Sequence, residues 1–239
     1  MCSAAKSPRT SNFKEMVNMD TNDDFFVISM DYSFRDMDSN IKIKYDNRGK
    51  TFIYNDIVLD KVGELMTRFL SILFTPEDLY IIKGGPECRR RFLDMFICQV
   101  DKGYFYLLQK YNRLLKQKSS CLKADADSSE KETYIHVLND YMADIGSKVI
   151  DKRLSVLREM KEKTYAIHKN ISNGLEEIDL NYVFSGKKID DHNVKETMKQ
   201  KLDESLEKEL LRKVCLVGPH RDDIEIRINE KDARNTAKN

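Results

Sequence analysis

The apolar positions change period twice along the chain. From 25 to 56 they alternate. "FFVISMDYSF" (25–34) is followed by "NIKIKYDN" (40–47), with Ile41, Ile43 and Tyr45 on one face and Lys42 and Lys44 on the other. That pattern predicts a half-exposed strand. Arg48-Gly49 then turns the chain into "KTFIYND", completing a hairpin. A short helix is expected over 11–19, with Ser11 as its cap. "RFLSILF" (68–74) reads as a strand buried on both faces, closing an antiparallel sheet over 25–74.

Beyond residue 75 the period becomes helical. Thr75 can cap a short helix, with Pro76 at its first position and Asp78 in capping-box register. Gly84-Gly85 ends that helix, and a new one starts near Pro86 with Phe92, Met95 and Phe96 on its apolar side. A second run carries Leu107, Leu108, Tyr111, Leu114 and Leu115. A long helix spans 132–172 after the small, acidic loop 124–131. "LEEIDLNYVF" (175–184) alternates again, and 190–213 is a strongly charged helix. "VCLVGPHRDDIEIRIN" (214–229) predicts two strands around a Gly-Pro-His break. The order is strands, helices, strands. This is an α+β chain in which a long helical lobe interrupts a sheet-based head. The expected segments are 1–85 (head, strand-rich), 86–213 (lobe, with the β-like stretch near 175–184) and 214–239 (returning hairpin).

Composition narrows the class. Charged residues make up 34% of the 239 and the net charge is only +1, so any attraction for nucleic acid must be local. The five cysteines (Cys2, Cys88, Cys98, Cys121, Cys215) form no CxxC pair, so neither a zinc site nor a disulfide framework is indicated and reduced thiols of a cytoplasmic protein are expected. No apolar run is long enough for a membrane helix, and no membrane partner is expected. The local concentration of charge lies between Leu79 and Lys123, where ten cations face three acids. Arg89, Arg90 and Arg91 open one helix. Lys110, Arg113 and Lys116 recur at helical spacing on the next, which suits a phosphate backbone read by shape rather than sequence. A solvated helix face with the same residues is the plain alternative. Tyr104, Phe105, Tyr106 and Tyr111 fit a core better than a stacking platform.

Several motifs fail on inspection. Gly49-Lys50-Thr51 imitates the end of a phosphate loop, but Lys44 stands where the first glycine is required, and a hairpin turn leads into a strand. "HRDD" (220–223) shares its first three letters with a kinase catalytic loop, yet Arg227 replaces the required asparagine. His220, Asp222 and Asp223 are too compact to close a metal's coordination sphere. The local pattern alone favours a turn in which Arg221 pairs with Asp222 or Asp223. Against this, Gly218-Pro219 fixes a sharp bend at a strand end, where phosphate sites sit in sheet-based heads.

Three stretches together resemble the RecF family of DNA replication and repair proteins: "SPRTSNFKEMV" (7–17), "FTPEDLYIIKGGPECRRRFLDMFICQV" running on to "LLKQKSSCLK" (74–123), and "LVGPHRDDIEIRINEKDAR" (216–234). The resemblance implies part of an ABC-ATPase-type, SMC-like head bearing an inserted helical lobe. It places Pro76, Glu77 and Asp78 in a loop near the nucleotide's γ-phosphate and metal, Arg89–Asp94 where head becomes arm, and Gly218, Pro219, His220, Arg221, Asp222 and Asp223 where the chain re-enters the head. It also implies sequence-independent binding of single-stranded or gapped DNA, ATP and Mg²⁺ as the family's cofactors, an ATP-dependent homodimer, and RecO and RecR as partners in loading RecA. By that resemblance the family's phosphate loop would lie upstream of Met1, and its signature and metal-binding acids downstream of "KDAR" (231–234). The chain is therefore expected to be an interior stretch, from a shortened gene, a shifted frame or a partial record. It is expected to hold no cofactor and no catalytic residue of its own. A non-enzymatic DNA- or protein-binding arm, or an inactive gene fragment, is the alternative. The turn that the family usually writes Asn-Gly is Asn229-Glu230 here, a poorer hairpin turn.

Overall fold

In a computed structural model the chain is described at residues 7, 10, 12–20, 23–66, 68–124, 128–189 and 193–236. Two compact units divide it, one of residues 1–73 with 98–105 and the other of 74–97 with 106–239.

The first unit is a four-stranded antiparallel meander: β1 (Phe26–Phe34), β2 (Met37–Asp46), β3 (Gly49–Tyr54) and β4 (Ile57–Val58), in that order. Alternation sets its faces. Phe26 pairs with Tyr45, Ile28 with Ile43 and Met30 with Ile41, so all six share one side. Ile41 and Ile43 are fully buried there and are joined by Phe13, Leu65 and Phe52. Each buried isoleucine contributes about 2 kcal/mol of apolar transfer. On the opposite side Lys42 reaches Asp56 at 2.9 Å. The expected hairpin forms, but its turn is Asn47-Arg48 rather than Arg48-Gly49, since Gly49 already pairs with Asp46, and a short helix, α1 (Gly63–Met66), follows the sheet.

Two expectations need correction in this unit. "RFLSILF" is not a strand: 70–75 carry no regular structure, and Leu70, Ile72 and Leu73 are exposed. The sheet ends at β4, so no strand edge among the described residues receives this apolar run. The segment expected as an N-terminal helix is one 3-10 turn, Phe13–Met16, capped by the Asn12 side chain accepting from Lys14 N–H. Ser11 lies outside the described residues.

The second unit is built on helices: α2 (Tyr80–Lys83), α3 (Pro86–Val100), α4 (Lys102–Lys123) and α5 (Ser128–Ile171), the first residues of α4 and the last of α3 belonging to the first unit. Then come β5 (Ile178–Phe184), β6 (Lys187–Lys188), α6 (Val194–Arg212), β7 (Asp223–Ile228), β8 (Lys231–Asp232) and α7 (Ala233–Thr236). The strands form a second antiparallel sheet in the order β6-β5-β7-β8. Helix α6 runs antiparallel to α5. Its direction is written in two ion pairs, Lys195–Asp144 and Lys199–Asp140, and in the approach of His136 to Asp203 at 3.9 Å. These pairs are half exposed and screened by solvent, so packing holds the two helices together. Gly146 allows the close approach, since a Cβ there would lie 2.5 Å from the Met198 Cε.

The returning hairpin also differs from expectation. Residues 214–221 form no strand. Val214 N–H closes the end of α6 on the Glu209 carbonyl, and Leu216 N–H donates to the Glu209 carboxylate at 2.6 Å. That side chain captures the segment before it can join a sheet. The hairpin is instead β7–β8, turning at Asn229-Glu230, where both residues have positive φ (49° and 63°). The acidic loop 124–131 and the start of the charged helix, 190–192, fall partly outside the described residues.

Candidate functional site

The segment Gly218–Asp223 is the point where three helices and a sheet meet within the second unit. Helix α3 supplies Arg89 and Arg90. Arg89 is 3% exposed and grips Asp223 with two hydrogen bonds, Nε to Oδ1 at 2.7 Å and Nη2 to Oδ2 at 3.0 Å. Its Nη1 donates to the carbonyls of Ile81 (3.2 Å) and Gly84 (2.9 Å), closing the end of α2. Arg90 donates to the main-chain carbonyl of Asp222 at 2.5 Å. Arg91 points to solvent. The three adjacent arginines thus serve three different ends, because successive helical residues are about 100° apart.

Helix α5 supplies Arg153, 2% exposed. Its Nε and Nη2 clasp Asp94 of α3 at 2.9 and 3.0 Å, and its Nη1 donates to Pro219 O at 2.7 Å and to the Tyr182 hydroxyl at 3.0 Å. Tyr182, on β5, donates in turn to Asp222 Oδ2 at 2.7 Å. Burial raises the Tyr182 hydroxyl well above its usual range and lifts Asp222 to about 7.

Helix α4 supplies Tyr111, which meets His220 Nδ1 at 2.9 Å. Burial pulls His220 down to about 4 and pushes Tyr111 up, so a neutral imidazole faces a protonated phenol. Tyr111 is the donor, and His220 carries its proton on Nε2, directed at Cys215 O (3.4 Å). Arg221 pairs with neither neighbouring aspartate; its Nε donates to Cys215 O at 3.0 Å. Gly218 has φ +128° and its Hα side abuts Tyr111: a Cβ would stand 2.1 Å from the phenol oxygen. Only glycine fits here. Two turns of helix beyond Tyr111, Lys118 and Glu209 form a fully buried pair at 2.5 Å.

Lys110, Arg113 and Lys116 are all exposed on α4, in one helical row. Tyr104 and Tyr111 are buried, and Phe105 and Tyr106 half buried, as expected of core aromatics. Pro76 and Glu77 are exposed in a 3-10 turn, while Asp78 accepts from Thr75 N–H at 2.7 Å and so caps that turn. Gly49-Lys50-Thr51 lies within β3, with Lys50 Nζ 3.6 Å from the Phe13 ring centroid, so no backbone amides converge on a phosphate there. Among the described residues no group of three or more His, Cys, Asp or Glu could hold a metal ion. The four described cysteines are free thiols, and no helix among the described residues is long and apolar enough to cross a membrane.

Asp94, Arg153, Tyr182, Lys118 and Glu209 also belong to this site and do not stand out as site residues in the sequence. A signal was available for three of them. Arg153 stands among Val149, Ile150, Leu154 and Leu157; Lys118 lies four residues before Leu122 and seven after Tyr111; Glu209 is seven after Leu202. Each is a charge on an apolar helix stripe, and a charge there is buried only if paired.

No protein-family model matches the chain. Curated sequences described as "DNA replication and repair protein RecF" do match, at 34% identity in Clostridium perfringens and 36% in Clostridium acetobutylicum, each over 234 residues. These alignments cover 98% of this chain and 63% of the relatives. Two solved structures, of the recombination mediator protein RecF with ATP and RecF-ATPrS in the RecFOR pathway, superpose with a TM-score of 0.86 at 30% and 31% identity, again over 98% of this chain and 63% of theirs. The chain therefore spans less than two thirds of the RecF proteins it matches.

Proposed function

We propose, from its kinship with RecF in sequence and in fold, that this chain performs part of a RecF-type task in DNA replication and recombinational repair. Its share of that task is to hold DNA by phosphate contacts from α3 and α4. The observation that supports this most strongly is the 0.86 TM-score to a recombination mediator over 98% of the chain. Arg89 and Arg90 are occupied inside the unit, so the DNA-facing cations are Arg91, Lys110, Arg113 and Lys116. They carry no groove-reading partner, and single-stranded or gapped DNA of any sequence is the expected ligand. RecO- and RecR-like proteins are the protein partners, and the cytoplasm is the compartment. The ATP named for one of these neighbours is expected to find no phosphate-binding loop among the described residues of this stretch.

Fluorescence anisotropy with labelled single-stranded and gapped oligonucleotides tests the reading. Affinity should be indifferent to sequence and should fall with salt at a log–log slope of about −3 to −4 for four phosphate contacts. A flat salt response, or no binding in dilute salt, would overturn it.

A further inference from the structure

Asp222 is the one carboxylate of the Gly218–Asp223 segment that lacks a guanidinium of its own. Arg89 is committed to Asp223, Arg153 directs two nitrogens to Asp94, and Arg90 reaches only the Asp222 main-chain oxygen. The side chain is 1% exposed. Oδ2 accepts from Tyr182, while Oδ1 has no hydrogen-bond partner among the described residues. A buried carboxylate in this position is costly when charged and comfortable when neutral.

We infer that Asp222 is a proton-operated latch: with its proton it holds the Gly218–Asp223 turn shut against α3, α4 and α5, and without it the turn loosens. The proton leaves to bulk water, and the carboxylate that remains keeps the Tyr182 hydroxyl and is favoured by the Ser185 amide, while Oδ1 stays short of a hydrogen bond of ordinary geometry. Water must then reach Oδ1, and it can do so only if the turn opens.

The groups packed round Asp222 leave it as the titrating member in the neutral range. From β5, Tyr182 is held protonated by burial, and the Ser185 amide favours the anion. From α4, Tyr111 is likewise held protonated, with the Lys118–Glu209 pair beyond it. From the turn itself, His220 is pulled down to about 4 and stays neutral. From α3 and α5, Arg90 and Arg153 are positive throughout and partly offset the burial. Burial dominates and lifts Asp222 from 3.8 to about 7. A raised carboxyl favours the closed form at low pH, and that advantage disappears as pH rises through the folded-state value.

Amide hydrogen exchange of the 239-residue chain, corrected for the intrinsic pH dependence of exchange, reads the latch. With closed and open values of about 7 and 3.8 for Asp222, protection of peptides covering 218–224 should fall about 30-fold between pH 5.5 and 8.5. Asp222→Asn keeps the shape and removes the charge, so its protection should not change over that range. Tyr182→Phe removes the donor that favours the anion and should move the wild-type midpoint to higher pH. That second variant decides the matter if Asp222→Asn does not fold. Protection that is flat with pH in the wild type, an Asp222→Asn variant that loses protection as the wild type does, or an unmoved midpoint in Tyr182→Phe would each overturn the latch.

Discussion

Arg89 and Asp223 meet through two parallel hydrogen bonds although 134 residues of chain separate them. The guanidinium also closes the end of α2 on the carbonyls of Ile81 and Gly84. Arg89→Gln keeps some polarity but loses the two-pronged grip, leaving Asp223 without its cation. The cost should be about 3 kcal/mol in urea unfolding. Arg91→Gln, one residue further from the closed ring of contacts, should change stability by less than about 0.5 kcal/mol.

Gly218 presses its backbone against Tyr111. Gly218→Ala combines a positive φ with a clash, so a loss of at least about 2 kcal/mol is expected. Adding Tyr111→Phe removes the oxygen but not the backbone strain. The double variant should therefore recover only part of the loss in thermal unfolding. Full recovery would mean that the clash alone makes glycine necessary.

The row Lys110, Arg113 and Lys116 can be tested without touching the core, because all three side chains are exposed. Changing them together to Gln should reduce the salt slope of DNA binding by about 2.7, near 0.9 for each phosphate released. Circular dichroism should remain that of the wild type. An unchanged slope would make the row a solvated face.

Glu230 sits at φ 63° in the two-residue turn between β7 and β8. A non-glycine side chain in that left-handed region costs about 1 kcal/mol. Glu230→Gly should therefore raise stability, by somewhat less than that cost because glycine loses more entropy on folding. Differential scanning calorimetry would show the rise in Tm.

Nucleotide should not be retained by this stretch. Titration with a fluorescent ATP analogue and Mg²⁺ should give no saturable signal at micromolar concentration. Saturation there would reveal a phosphate site outside the hairpin that carries Gly49-Lys50-Thr51.

The two sheets and the helices of the lobe were legible because each buries a single face. Ile41 and Ile43 alternate with lysines, and the stripes of α4 and α5 repeat at helical spacing. "RFLSILF" was misread because a short apolar run has no period and its strand character depends on a neighbouring edge. "VCLV" failed for another reason: Glu209, on a different element, takes the amide that a strand would have used. The contacts of Gly218–Asp223 were half legible. The bend at Gly218-Pro219 is local, but the partners of Asp222, Asp223 and His220 come from α3, α4 and β5. Local pattern pointed to an Arg221–Asp222 or Arg221–Asp223 pair, and long-range partners displaced it.

Helix α5 is 44 residues long, about 66 Å from end to end. Arg153 pins it to Asp94, Tyr182 and Pro219, with about 38 Å of helix on the side of Ser128 and about 27 Å on the side of Ile171. The arginine is thus a fulcrum near the middle of a rod. A tilt of about 5° at that point would carry the Ser128 end through about 3 Å, more than the length of a hydrogen bond. Sub-ångström adjustments around Pro219 would then arrive at the far end of the rod as displacements large enough to make or break a contact.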